Sequence, residues 1–574
     1  MKIVVAYKWA ADYQEATVDA RGVVDWSRAR QVVSAYDAVA MEVARQLAET
    51  TPSEVIGLCA GSKAAAAPIA TKTALARGLD RAVVVVDESS GDSGTTRVAE
   101  TLARAIGHIG DVDLVLAGDS SIDVAAKMVA TVLAGWLGWP AFTDVGSVSV
   151  ADGRRFLLTR ATGGGTETIR VTGPVVVALA ADAVTARTPG MKDILAAGKK
   201  PVEKIDLAAL GVNWHRLVKS CAIARAHGMR RASNRSLKPA IGRALPDNWS
   251  ASCATPASCE HQWIWKGRFG PMVMSTWIVV AGDPGVRNLV ATARELGGQV
   301  RAVVIGTRQV ADALAASGVD EVIWIEQAAG VPIEAYACAV PELVRATPGV
   351  LIGGRRPAER VVLGAAAAAL HAPVITGAST VSIEDDEVLV THSAFGGISE
   401  QTIAVAGPVA LILDGGGLPP AGEPVAVSRQ DAAPRTGVAV AERIISTADR
   451  VDLGSATRVI GVGRGLRQQA DLTLIENLAK ALKAEIGCTR PLAEGLDWLP
   501  RDRYIGISGQ HIAPRLYLAV GLSGQLQHLD GVRGAEVVVS VNNDPRAPIC
   551  EQADYVLVTD LYEFVPALAA ELAG

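Results

Sequence analysis

Arg458-Val-Ile-Gly-Val462 is a short apolar run that opens directly into Gly463-Arg464-Gly465, and behind it Leu472, Ile475, Leu478, Leu482 and Ile486 recur at helical spacing. A strand, a glycine turn and a helix in that order bring backbone N–H groups to a phosphate. Later apolar runs end in Thr489-Arg490, Ser508-Gly509-Gln510, Ser523-Gly524 with Gln527-His528, Asn542-Asn543-Asp544 and Asp560. Each cluster stands where a strand would finish, and open α/β sheets bind ligands beyond the carboxyl ends of their strands. The expected fold of this part is a parallel sheet whose one edge gathers these clusters around a dinucleotide-sized site.

Upstream, the chain repeats itself. Asp113-Leu-Val-Leu-Ala-Gly118 corresponds to Gly349-Val-Leu-Ile-Gly-Gly354, and each is followed by an Ala-rich helical stretch closing at Trp139-Pro140 or Ala372-Pro373. A glycine cluster and a Gly-Pro step follow in both copies, at 161–174 and 395–408. Each copy begins with a strand-like run, Ile3–Ala6 or Trp277–Ala281, and alternates strand with helix. Two related doubly wound α/β domains are implied. The expected organisation is a first domain over 1–211, a linker or arm over 212–272, a second domain over 273–425, a hinge connector over 426–440 and the nucleotide-binding domain over 441–574. Residues 212–272 show no sustained period and are readable either as a flexible tether or as an ordered arm around the last domain. Gly415-Gly-Gly-Leu-Pro-Pro420 and Ala432-Ala-Pro434 punctuate the second break.

Composition agrees. Apolar residues make up 49% and charged residues 20% of 574 residues, which suits several packed domains and argues against a disordered chain. A net charge of −5 leaves no electrostatic footprint for nucleic acid. The start Met1-Lys2-Ile3-Val4-Val5-Ala6 reads as a strand and not as a signal peptide. No apolar run is long enough to insert in a membrane, so a cytoplasmic location is expected. The seven scattered cysteines suggest no disulfide framework. Cys253, Cys259 and His261 lack the spacing of a zinc site, and no metal is expected.

The ordered series Gly463-Arg464-Gly465-Leu466, Thr489-Arg490, Ile507-Ser508-Gly509, Ala513 to His528, Asn542 to Ile549 and Gln552 to Tyr555 resembles the FAD domain of the electron-transfer flavoprotein alpha subunit. Residues 1–211 resemble the beta subunit of that family and 273–425 the first domain of alpha. The resemblance implies a beta–alpha fusion, with two adenine-nucleotide-hydrolase-like (Rossmann-like) domains and a C-terminal FAD-binding domain. It also implies one FAD held by Gly463, Arg464, Gly465, Thr489, Arg490, Ser508, Gly509, Gln510, Ser523, Gly524, Gln527, His528, Asn542, Asp544 and Asp560. Arg490, Ser508 and His528 correspond to residues that tune the flavin by charge or hydrogen bonding. Asn542 and Asp544 read equally well as turn residues before Pro545. Ile507, Gln510 and Asn543 depart from the residues common in the family.

In the beta-like half the resemblance implies an AMP-type site around Ala6, Asp37, Cys59, Gly118 and Asp123. Met128 and Ala130 replace the usual Gln and Gly of its loop, which leaves AMP, a second FAD or neither as readings. Arg187 to Lys200 resembles the partner recognition loop, with Met191 at the anchor; an exposed Met suits an adaptable interface. The implied function is electron transfer from a flavin-dependent dehydrogenase to a quinone-linked oxidoreductase, with no bond chemistry of its own. The alternative is an electron-bifurcating flavoprotein with two FADs that oxidises NADH.

Overall fold

Lys2–Ala6 reads Lys-Ile-Val-Val-Ala, and a run apolar on both faces suits the middle of a parallel sheet covered by helices on both sides. The computed structural model describes the chain except residues 13–14, 16, 19–23, 88–93, 163–164, 213–217, 220–224, 227–274, 395–398, 446–452, 455, 494, 507–508 and 574. In it that strand lies between Glu54–Gly61 and Leu114–Gly118. Arg81–Val86 and Val175–Leu179 extend the sheet on either side, all parallel. The second domain repeats the plan: Ser275–Ala281 is central, with Val300–Gly306 and Glu321–Glu326 on one side and Gly349–Gly353 and Val409–Ile412 on the other. The internal repeat is therefore one doubly wound topology used twice.

The two domains meet through equivalent helices, Val129–Leu137 and Pro357–Leu370. Small residues let them close: a Cβ on Gly364 would lie 2.7 Å from the Cβ of Thr131. From the second helix Arg360, fully buried, donates to Asp119 at 2.9 Å, to Asp144 at 2.8 Å and to the Lys127 carbonyl at 2.9 Å in the first domain. A guanidinium so enclosed is tolerable only because its partners surround it.

Each domain also ends an antiparallel set in an edge strand, Gly165–Thr172 or Ser399–Val405. Segments from the other half cover both edges. Val438–Ile445 runs antiparallel to Gly165–Thr172, and Val218–Lys219 and Arg225–Ala226 run antiparallel to Ser399–Val405. Pairing satisfies the row of backbone groups that an open edge would expose.

Two expectations change here. Both ends of the 426–440 connector are built into sheets, since Val427–Arg429 pairs with Glu321–Glu326 and Val438 begins the edge strand just described. Residues 441–445 accordingly belong to the first domain's sheet and not to the nucleotide-binding domain. The described parts of 212–272 lie on the second domain's antiparallel sheet; Cys253, Cys259 and His261 fall outside the described residues.

The C-terminal unit has five parallel strands in the order Glu485–Cys488, Arg458–Val462, Leu516–Val520, Val538–Asn542 and Tyr555–Val558. Helix Leu472–Leu482 stops at Lys483, which adopts φ 50, so Ile486 lies in the next strand and not on the helix as its spacing suggested. Among the described residues no helix is long and apolar enough to cross a membrane.

Candidate functional site

Arg458–Val462 sits between the strand that follows it in sequence and Leu516–Val520, so the chain leaves it toward one side and returns on the other. Such a switch point opens a crevice at the carboxyl ends of the two central strands. The turns Gly463–Gly465 and Gly521–Gly524 meet there. The N–H of Gly465 donates to the carbonyl of Gly521 at 2.7 Å, and a Cβ on Gly465 would lie 2.6 Å from Gly521 Cα. Gly521 itself has φ +60, a backbone that side chains rarely adopt.

A cavity of about 650 Å³ lies over these turns, in the range of small-molecule sites. Of the residues expected to hold the cofactor, Gly463, Arg464, Gly465, Thr489, Arg490, Ser523, His528, Asn542, Asp544 and Asp560 line it. Gly509, Gln510 and Gly524 are not in its wall but form adjoining turns. The Gly509 N–H donates to Gly506 O, the Gln510 N–H to Tyr504 O, and Gly524 abuts Ile549. Gln527 is on helix Leu526–Gly531. Ser508 and Ile507 lie outside the described residues.

Asn542 and Asp544 line the cavity and also make turn contacts. Asn542 Nδ2 donates to Leu522 O at 2.7 Å and its Oδ1 accepts from the Asp544 N–H at 3.0 Å, which ties the two neighbouring strand ends together. Asp544 in turn accepts from the Arg546 N–H. His528 is buried; its Nε2 is 2.6 Å from Tyr517 Oη and its Nδ1 3.0 Å from Ile505 O.

Sequence reasoning missed several wall residues. Tyr36 comes from the first domain, and no local signal connects it to this cavity. Arg467 and Tyr562 sit one or two residues beyond segments that were read, and Arg546 lies within the segment Asn542 to Ile549 without having been singled out. The Arg467 guanidinium lies 4.4 Å from the centre of the Tyr562 ring, and Tyr562 Oη donates to Asp471, whose carboxyl this bond holds below its ordinary range. The wall thus carries the guanidinium groups of Arg464, Arg467, Arg490 and Arg546 against the carboxylates of Asp544 and Asp560. Glycine turns with this cationic balance suit a diphosphate. The cavity's size and the arginines in its wall fit a flavin dinucleotide.

In the first domain Ala6, Asp37, Cys59, Gly118 and Asp123 gather at the ends of its central strands, but their polar groups bond to one another. Asp37 accepts from the backbone N–H groups of Lys8 at 2.7 Å and Gly118 at 3.3 Å, and burial raises its pKa to about 7. The Lys8 ammonium pairs with Asp123 at 2.6 Å. Ala6 and Cys59 are buried, as are Met128 and Ala130. Met191 begins the helix Met191–Ala197 and is 73% exposed, with Leu195 at 68% and Ile194 at 51%, so this short helix presents an uncovered apolar face.

Paired doubly wound domains, carrying a third sheet with a dinucleotide cavity at its switch point, define a nucleotide-binding protein of the flavoprotein class. The electron transfer flavoprotein domain matches residues 21–210 and again 280–443, and the electron transfer flavoprotein FAD-binding domain matches 452–533. The chain belongs to the electron transfer flavoprotein family, with the beta-like and alpha-like halves fused in that order. YdiR of Escherichia coli K12, named as an electron transfer flavoprotein subunit, is 34% identical over 309 residues, which covers 52% of this chain and 98% of YdiR. Protein FixB of Salmonella typhimurium is 33% identical over 311 residues, with 52% and 98% covered. Protein FixB of Escherichia coli O157:H7 is 33% identical over 309 residues, with 52% and 97% covered.

Proposed function

We propose that this chain carries electrons through one FAD from a flavin-dependent dehydrogenase to a quinone-linked acceptor in the cytoplasm. The observation behind this reading is the meeting of two glycine turns and four guanidinium groups in one cavity of the FAD-binding domain. FAD, when bound, supplies reversible electron uptake. The chain's own residues bind and orient it. Gly463, Gly465 and Gly521 let the two turns close on each other beneath the diphosphate, Arg464, Arg467 and Arg546 meet its charge, and Arg490 supplies the cation for the isoalloxazine. Ser508, Gly509, Gln510, Ser523, Gly524 and Gln527 complete the proposed binding set, with Asn542, Asp544 and Asp560 shaping its far end.

The exposed face of Met191, Ile194 and Leu195 is the proposed dock for the dehydrogenase. The FAD-binding domain then swings relative to the two repeated domains, breaking the cover that Tyr36 gives the cavity. At the AMP-type site Asp37 and Asp123 are already engaged by Lys8 and Gly118, and a phosphate there would meet the loop before Val129.

Absorbance of the purified protein, followed by denaturation and chromatography of the released nucleotides against protein concentration, tests the reading. One FAD per chain supports it, with or without an accompanying AMP, and the AMP yield decides the beta-like site. Two FADs, together with reduction by NADH, would replace it with the bifurcating alternative. Absence of flavin after reconstitution with FAD would refute it.

A further inference from the structure

The turn that follows Arg458–Val462 makes contacts well beyond its own strand. Gly465 touches Gly521 at the end of Leu516–Val520, and Arg467 meets Tyr562 on the last helix, Leu561–Ala573, which follows the outermost strand Tyr555–Val558. The bridge therefore runs across the ends of three neighbouring strands, about 14 Å at the spacing of a sheet. Tyr562 holds the turn by two means. Its hydroxyl accepts from the Arg467 backbone N–H at 2.7 Å and donates to Asp471 at 2.5 Å, and Asp471 also accepts from the N–H groups of Arg467 and Gln468 at 3.2 Å. Its ring lies under the Arg467 guanidinium, 4.4 Å from centre to carbon. Asp560, which accepts from the Tyr562 N–H at 2.8 Å, stands 3.8 Å from the same guanidinium. The Arg467 side chain is 73% exposed, and without these neighbours its rotamer freedom would have to be lost on binding.

Arg467, Asp560 and Tyr562 line the cavity at the last strand, and Thr489 and Arg490 line it at Glu485–Cys488, the opposite edge of the sheet. Four strand spacings, about 19 Å, lie between those edges. A flavin whose ring system is held at Arg490 brings its second nucleotide, not its first, to the Tyr562 end. We infer that Tyr562 is a positioning residue that clasps Arg467 across the last strands, so that the adenosine half of a dinucleotide and the phosphate next to it are gripped there and a flavin mononucleotide is not. Tyr562, Arg467 and Asp471 thereby set the preference for FAD over FMN. Asp471 fixes the turn from which Arg467 projects, and the phenol joins that turn to the last helix. The inference rests on the FAD reading and adds to it which end of the ligand these residues recognise.

The test compares release and uptake of nucleotides by the full chain. FAD release from the purified protein is followed by flavin fluorescence, and uptake of FMN and of ADP by the flavin-depleted chain is followed by calorimetry. Tyr562→Leu and Arg467→Gln should each release FAD about tenfold faster and bind ADP about tenfold more weakly, the loss expected for a charge-assisted contact. Tyr562→Phe, which keeps the ring under the guanidinium and removes the hydroxyl, should move both quantities in the same direction by less. FMN should bind the variants as it binds the parent, which a general loosening of the domain would not allow. FAD release at the parental rate in both Tyr562→Leu and Arg467→Gln would overturn the inference, and so would FMN weakened as much as FAD. Failure of the FAD reading shows separately, as a parent that takes up no FAD. ADP then decides the clasp: a parent that binds no ADP, or variants that bind it as well as the parent does, would overturn it.

Discussion

Gly465 and Gly521 touch across the switch point of the C-terminal sheet, the N–H of one donating to the carbonyl of the other at 2.7 Å. Neither has room for a side chain: a Cβ on Gly465 would lie 2.6 Å from Gly521 Cα, and one on Gly521 2.7 Å from Leu561 Cδ2. Gly465→Ala should therefore push the two turns apart, at a cost of about 1–3 kcal/mol from overpacking. Bound FAD per chain, measured by absorbance, should fall while the circular dichroism of the α/β fold persists. Full flavin occupancy would show that the contact does not shape the site.

Arg490 opens the short helix Arg490–Ala493 at the end of strand Glu485–Cys488 and faces the same cavity. Its guanidinium would compensate charge gained by the isoalloxazine. Arg490→Ala should lower the amount of one-electron-reduced flavin seen during stepwise photoreduction, by a free energy on the order of 1.5–3 kcal/mol. An equal yield would remove Arg490 from that role.

Met191, with Ile194 and Leu195 beside it, is exposed where an apolar face has no evident structural use. Met191→Ala should slow reduction by the cognate dehydrogenase on the order of tenfold, as loss of an interface anchor would. Flavin content should be unaltered. Reduction at the parental rate across dehydrogenase concentrations would place the dock elsewhere.

Arg360 joins the two repeated domains by entering a cluster of Asp119 and Asp144. Arg360→Met would leave both carboxylates near one another without their guanidinium, and breaking such a buried pair costs about 3–5 kcal/mol. Denaturant unfolding should show that loss. Adding Asp119→Asn should recover part of it by removing one orphaned charge; an additive or neutral outcome would mean that the cluster does not hold the domains together.

Asp37 gives a pH dependence of defined sign. Its carboxyl has a pKa of about 7 in the folded chain because burial disfavours the charge, against 3.8 for the ordinary group. The folded state binds this proton more tightly than the unfolded state does. Its contribution to stability is therefore fully present below the unfolded value and is lost as pH rises toward about 7. Asp37→Asn should flatten the stability profile between those limits while retaining an acceptor for Lys8 N. A profile of unchanged slope would show that Asp37 titrates normally.

The sequence by itself determined the repeat, the doubly wound domains and ten of the residues that line the cavity. The reason is local: a strand that ends in Gly463-Arg464-Gly465 or Thr489-Arg490 places those residues at a sheet edge wherever the sheet lies. The same locality explains the limits of the reading. Asn542 was legible as a strand-end residue, but its bonds to Leu522 O and Asp544 N depend on how two strands lie side by side. Tyr36 reaches the cavity only because the first domain stands against the last, and His528 is held by Tyr517 and Ile505 from two other segments. Val438–Ile445 could be read as part of a new domain until the open edge of Gly165–Thr172 is seen to take it. Backbone periodicity and turn chemistry act over a few residues and are written in order along the chain. Edge pairing and buried charge partners are contacts between distant segments, and only packing decides them.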